Sequence, residues 1–184
     1  HLQEATYDVA SASARKNLSE AESLAAQLQT EIRTLTEYLK IGEDDLWPPL
    51  IDSISVEPGY EKALGAALGD DLNVATDDGA PVYWYTLPPL GDPPPLPKES
   101  KPLNLFVKGP DALKRRLSQI GLVEGLNGKN LIEQLKQGQR LVNKDGAMWR
   151  WDGYIATEEV AISAAERLDQ RNKLKKLRDD LLIA

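Results

Sequence analysis

The chain contains no cysteine, which excludes disulfides, thiolate nucleophiles and Cys-ligated zinc. Its one histidine is His1, so the sequence offers no Ser/His/Asp arrangement and no histidine-based metal site. No apolar run reaches the roughly 18 residues that a membrane-spanning helix needs. There is no GxxxxGKS or GxxxxGKT loop and no GxGxxG after a strand, so nucleotide binding has no motif behind it; Gly125-Leu126-Asn127-Gly128-Lys129 reads only as a glycine-rich turn. The acid pairs Asp70-Asp71 and Asp77-Asp78 lack the further oxygen ligands a divalent cation requires, and no metal is expected. The chain opens without Met and without a charged and then apolar leader, which predicts an excised piece of a longer protein with no signal peptide.

Glycine and proline are also missing from Leu2 to Ile41, and there the absence is informative. Tyr7, Ala14, Leu18, Ala21, Ala25, Leu28, Ile32, Leu35 and Leu39 recur at alternating spacings of three and four, with Ser11 the polar member of the seam. This is the heptad pattern that lets one helix lie along another. Val160, Ala164 and Leu168, followed by Leu174, Leu177 and Leu181, make a second seam whose phase slips near Arg171, as in a stutter. The reading is an N-terminal arm over 1–45, a middle domain over 46–155 and a C-terminal arm over 156–184, the arms running antiparallel as a two-helix coiled coil.

The net charge of −7 conceals a division. Between Leu46 and Pro97 eight acids face the single base Lys62, a balance of −7; between Lys98 and Arg150 eleven bases face five acids, a balance of +6. Such halves attract each other within one molecule or between two. Lys108, Lys114, Arg115, Arg116, Lys129, Lys136, Arg140, Lys144 and Arg150 are the candidates for a DNA surface, because cations neutralise phosphates without reading bases. A solvated face, or one complementary to the acidic half, is the competing reading.

Within the middle, Glu43, Asp44 and Asp45 and then Trp47-Pro48-Pro49 stop the first helix. The β-branched content of Leu50 to Val56 predicts a strand, Pro58-Gly59 opens a helix with Leu64 and Leu68 inward, and Gly69 caps it. Asp71 to Thr76 and Val82 to Leu87 are expected as two strands around the turn at 77–81. The stretch 88–102 contains the proline-rich run 88–97 and is expected as a stiff, extended bridge between an acidic subdomain (46–87) and a basic one (103–155).

In the basic part, Leu103 to Val107 predicts a strand, and Gly109-Pro110-Asp111 opens a helix that carries Leu113, Leu117 and Ile120 and ends at Gly121. A shift of 52 residues places Pro58 on Pro110, Leu68 on Ile120 and Gly69 on Gly121, which suggests pseudo-symmetric halves. Asn130 to Gln137 predicts a third helix with Leu131, Ile132 and Leu135 inward and Gly138 as its stop. Arg140 to Lys144, Asp145-Gly146 and Ala147 to Trp151 make a hairpin with Trp149 and Trp151 on one face and Met148 and Arg150 on the other. Thr157, ahead of Glu158 and Glu159, is placed to cap the second arm.

Leu50-Ile51-Asp52, Val56-Glu57-Pro58-Gly59-Tyr60-Glu61-Lys62-Ala63-Leu64 and Ala66-Ala67-Leu68-Gly69-Asp70 together resemble the first subdomain of the hinge of bacterial SMC (structural maintenance of chromosomes) proteins. Gly138-Gln139-Arg140-Leu141-Val142-Asn143-Lys144-Asp145-Gly146, with Trp149-Arg150-Trp151-Asp152-Gly153, resembles the segment near the hinge's end, in a shortened variant. The resemblance implies an α+β domain of two small subdomains flanked by coiled coil, which dimerises two chains at the tip of long antiparallel arms. It places Gly146, Trp149, Trp151 and Gly153 at that interface, and the opposed charges add Asp70 and Asp71. It further implies chromosome condensation and segregation, a cytoplasmic, nucleoid-associated location and no membrane. Kleisin and accessory subunits would bind elsewhere, and ATP and Mg would serve a head domain outside this sequence, leaving this part without cofactor or catalysis. A related coiled-coil repair ATPase fits less well, since such hinges commonly use a cysteine zinc hook; a protein-only adaptor is the remaining rival.

Overall fold

The computed structural model of the protein describes residues 2–39, 46–158 and 162–183, with side chains from 11 onward in the first stretch and from 166 onward in the last. The expected helix stop at Glu43, Asp44 and Asp45, the seam positions Tyr7, Val160 and Ala164 as side chains, and the capping acid Glu159 lie outside what is described. Two compact units result, one drawn from 1–41 with 173–184 and one from 42–172.

In the first unit α1 (Leu2–Tyr38) is one continuous helix of 37 residues, as the lack of glycine and proline requires. Leu35 and Leu39 are buried against Leu174 and Leu177 of α5 (Ile162–Ile183), with Leu28 and Ile32 packed on the same cluster. The predicted seam is thus realised toward the end of α1, while Leu18 stays 60% exposed. Lys173 Nζ reaches Glu31 at 2.6 Å beside the cluster. Three threonines on α1 (Thr30, Thr34 and Thr36) donate their hydroxyls to the carbonyl four residues earlier, so each adds no unpaired group to the helix.

The second unit is α+β. Its five-stranded sheet has the order β2-β4-β5-β6-β7, from β2 (Lys101–Pro102), β4 (Ile120–Leu122), β5 (Arg140–Val142), β6 (Met148–Arg150) and β7 (Ile155–Ala156). A separate pair joins β1 (Ser55–Val56) to β3 (Val107–Lys108), with Val56 opposite Val107. The parallel step from β4 to β5 crosses over through α4 (Gly128–Leu131) and the 3-10 turn Ile132–Gln134, the connection a parallel pair demands. One face of the sheet packs the main core, in which Leu50, Ile51, Leu64, Leu103, Leu113, Ile120 and Val142 are at most 1% exposed. The other face packs Val123, Leu131, Leu135, Leu141, Ala147 and Trp149. Because strand side chains alternate, Val142 and Met148 serve the first core while Leu141 and Trp149 serve the second.

The hairpin forms where Asp145-Gly146 predicted it, with Gly146 at φ +98° and Val142 opposite Met148. Asn143 fixes the loop: its Oδ1 accepts the Ala147 N–H at 2.7 Å and its Nδ2 donates to the Gly125 carbonyl at 2.9 Å. The helix after Pro58 appears as α2 (Glu61–Leu68), with Leu64 and Leu68 buried and Gly69 at φ +55°. Gly69→Ala is expected to cost about 1 kcal/mol in urea unfolding, since that φ suits only glycine; no shift in midpoint would deny the cap its role.

Several expected strands are tight helical turns instead. Leu50–Ser53 is a 3-10 helix, opened by Pro49 and closed by Ser53 Oγ donating to the Leu50 carbonyl, and only Ser55–Val56 is strand. The run after Gly69 continues as a 3-10 helix through Asn73, so 71–76 is no strand; Ala75 makes single bridges to Pro49 and to Tyr83, the latter parallel, which no hairpin produces. The turn itself holds, with the Gly79 N–H on Asp77 Oδ1 at 2.8 Å. Leu103–Leu105 is likewise a 3-10 turn between β2 and β3.

The helix after Pro110 is a 3-10 turn (Asp111–Leu113) followed by the short α3 (Lys114–Leu117), and Gly121, expected as its stop, lies inside β4. A Cβ there would meet Leu141 Cδ2 and Ser100 Oγ at 2.7 Å, so Gly121 is present for close packing. Gly69 and Gly121, aligned by the 52-residue shift, therefore do different work. The third helix is shorter and earlier than expected, α4 plus its 3-10 turn, and Gly138 at φ +85° follows it.

The proline run 88–97 contains no helix or strand, as expected. Gln139, 0% exposed, anchors it: Nε2 donates toward the carbonyls of Pro94 and Pro95 at 3.0 and 3.2 Å and to Gln119 Oε1 at 3.0 Å. Proline has no N–H, so only carbonyls can be gripped in this way. On α5, Leu168 belongs to the main core of the second unit whereas Leu174 and Leu177 belong to the first unit's cluster. The phase slip read near Arg171 thus marks the point where the helix changes packing partner.

Candidate functional site

The nine candidate cations separate into groups once their surroundings are known. Arg140 is committed to the interior: Nη1 donates to the Ala67 carbonyl at the end of α2 and approaches Met148 Sδ at 3.9 Å, while its Nε is buried without a partner. A guanidinium against the last carbonyls of a helix is favourable in both charge and hydrogen bonding. Arg150 is held by Asp152 and lies 5.0 Å over the Tyr154 ring. Lys144 sits 4.3 Å over Tyr60, which itself stacks on Phe106 at 4.2 Å and 13° between planes.

Arg116 donates to the Gly138 carbonyl at 3.4 Å. Burial draws its pKa below the ordinary arginine value, Asp71 opposes that fall and Arg150 adds to it. Lys114 is paired with Asp111 at 2.8 Å, an exposed contact of small energetic weight. Lys108, Arg115, Lys129 and Lys136 form no ion pair with another described residue, and of these only Arg115 is partly covered.

The interface candidates divide in the same manner. Gly146 is buried in the hairpin loop, and Trp149, 3% exposed, packs on Gly128 inside the second core. Trp151, Tyr154 and Ile155 are 44%, 48% and 50% exposed at and just before β7, an outer strand of the sheet. Gly153, at φ +88°, makes the bend that presents Tyr154 and Ile155, and a depression of about 580 Å³ runs from Leu126 to Thr157 past Ile155. Asp70 and Asp71 are exposed, and the Asp71 carbonyl accepts Trp84 Nε1 at 3.0 Å.

Two surfaces were not singled out from sequence. Val82, Tyr83, Tyr85 and Leu87 are exposed along an extended segment joined to the rest through the Trp84 N–H on the Ala75 carbonyl. Their alternation was read as a strand, and the solvent side of a strand cannot be told from periodicity alone. An apolar groove between the proline run and α3 was also missed, because its walls are contributed by segments far apart in sequence. Among the described residues no group of three or more His, Asp or Glu side chains is placed to hold a metal ion. No helix among them is long and apolar enough to cross a membrane.

Residues 43–85 match the family described as SMC proteins Flexible Hinge Domain. The chain is 44% identical over 167 residues to the chromosome partition protein Smc of Rhodopseudomonas palustris, covering 91% of this chain and 14% of that protein. It is 50% identical over 136 residues to the chromosome partition protein Smc of Cereibacter sphaeroides, covering 72% of this chain and 12% of that one. The chain thus spans a small fraction of the length of these relatives. Among solved structures, an asymmetric dimer of the Geobacillus stearothermophilus SMC hinge domain is similar with a TM-score of 0.52, 16% identity and 93% of each chain covered, a likeness of fold. With the helix-flanked α+β unit, the motif-bearing α2 and the closing hairpin all in place, the chain belongs to the SMC family and carries its hinge.

Proposed function

We propose that this hinge joins two copies of a chromosome partition protein and offers DNA a sequence-independent cationic surface. The observation that carries the reading is the 44% identity, over 91% of the chain, to a protein named for chromosome partition. Its similarity in fold to a hinge solved as a dimer supports self-association. The exposed Ile155 and Leu126, which line one depression beside the outer strand β7, suit a protein surface better than water, as does the exposed Trp151. The acidic face at Asp70 and Asp71 would meet the basic half of the second copy by charge complementarity. Catalysis then belongs to ATP- and Mg-dependent heads elsewhere in the whole protein, as do kleisin and accessory subunits, and the site of action is the nucleoid in the cytoplasm.

Sedimentation of the chain over a range of concentrations tests the joint. A dimer is expected, and Trp151→Glu with Ile155→Glu should leave a monomer of unchanged circular dichroism; an unmodified chain that stays monomeric throughout would remove the proposal. For DNA, Lys129→Glu with Lys136→Glu, and separately Arg115→Glu with Arg116→Glu, should each weaken binding to duplexes of unrelated sequence about tenfold at low salt and flatten the salt dependence. Unchanged mobility shifts in both variants, or none in the parent chain, would leave a joint without a DNA role.

A further inference from the structure

The groove beside the proline run has an apolar floor that none of the roles above uses. Pro89, Leu90 and Pro93 form one wall, Val107, Pro110 and Leu117 contribute to the other, and the space between them is about 590 Å³. Lys108, Lys114 and Arg115 stand among its lining residues, with Asp111 the single acid there, already paired to Lys114 at 2.8 Å. The rim is therefore cationic and the floor apolar. Proline walls and a wall rooted in the buried Leu113 and Leu117 change little in shape, which lowers the entropic cost of filling the groove.

We infer that this groove is a docking site for an acidic peptide segment bearing leucine-like side chains, supplied by another protein. Charge complementarity selects the sign of the ligand: carboxylates would meet Lys108 and Arg115, neither of which has an ion partner among the described residues. The apolar floor selects its kind. A nucleic-acid backbone satisfies the rim but leaves the prolines and leucines against water or phosphate, whereas leucine side chains between acids satisfy both. The inference stands apart from self-association; it shares Lys108 and Arg115 with the cationic surface proposed for DNA, and the apolar wall at Leu90 is what separates the two.

The test is fluorescence anisotropy with a short labelled glutamate–leucine peptide, against glutamate–serine and lysine–leucine peptides of the same length. Binding is expected for the first alone. Lys108→Glu with Arg115→Glu should weaken it about tenfold through loss of the complementary charges. Leu90→Asp, which changes a partly exposed wall residue and leaves the core intact, should abolish it while duplex DNA binding stays unchanged. Equal binding of the glutamate–serine peptide would reduce the groove to a charge effect and overturn the inference. So would indifference to Leu90→Asp, or a glutamate–leucine peptide that fails to bind a chain whose DNA binding is intact.

Discussion

Gly128→Ala is expected to destabilise the second unit by about 3 kcal/mol, lowering its melting temperature by roughly 10 °C. A Cβ on Gly128 would stand 2.1 Å from Trp149 Cε3 and 2.4 Å from Cδ2, inside the ring system of a side chain that is 3% exposed. The ring cannot swing away, because Val123, Leu131, Leu135, Leu141 and Ala147 share its cluster. Either α4 lifts from the sheet or Trp149 leaves its rotamer, and both forfeit packing. Thermal unfolding of Gly128→Ala, Trp149→Leu and the double variant separates the steric clash from general loss of core. The double variant should be more stable than the sum of the two single effects predicts, because the smaller side chain makes room for the methyl group. Strict additivity would mean that the contact is not the cause. Since Ile155 and Leu126 line the depression over Trp149, the single glycine variant should also weaken self-association.

Gln139→Leu is the second large effect, about 2–4 kcal/mol, from hydrogen bonds lost without replacement. Leucine is close in volume, so no cavity opens. What is lost is the acceptor for the Lys136 N–H, at 2.9 Å, and the donor shared by the Pro94 and Pro95 carbonyls and Gln119 Oε1. The proline run would then be released from the sheet while the hairpin remains. Trypsin should cut after the exposed Lys98 at lower protease concentration than in the parent chain, at a temperature where both are folded. Parental cleavage together with a parental melting temperature would show that the run is held by its own stiffness.

The parts of this fold that were legible in sequence are those with a local signal. The long helices follow from period and from missing glycine and proline, the hairpin from Asp145-Gly146, and α2 with its Gly69 cap from the glycine and the spacing of Leu64 and Leu68. The 3-10 turns at Leu50–Ser53 and Leu103–Leu105, and the part of Gly69–Asn73 from Asp71 on, carry strand-like composition, and so few residues show no resolvable period. Gly121 and Gly128 owe their identity to Leu141 and Trp149, which lie about twenty residues away along the chain, and no local rule could expose that.

For the site, sequence identified the cations but not their occupations. Arg140 and Trp149 carry residue types that favour surfaces and interfaces, yet one serves the α2 terminus and the other a core. Their placement depends on the parallel β4–β5 crossover, a long-range event.

The attachment of α5 to the second unit has a bearing on the order of folding. Leu168 shares a core with Leu50, Arg171 pairs with Asp52, and Asn172 Nδ2 donates to Glu61 Oε1 at 2.7 Å and to the Val56 carbonyl at 3.3 Å, across 111 and 116 residues of chain. The earliest-made strand and helix of this unit thus wait for some of the last-made residues before their polar and apolar partners are complete. During synthesis, α1 can form as it emerges, whereas the contacts of Leu168, Arg171 and Asn172 with the start of the second unit are completed only once those residues are made.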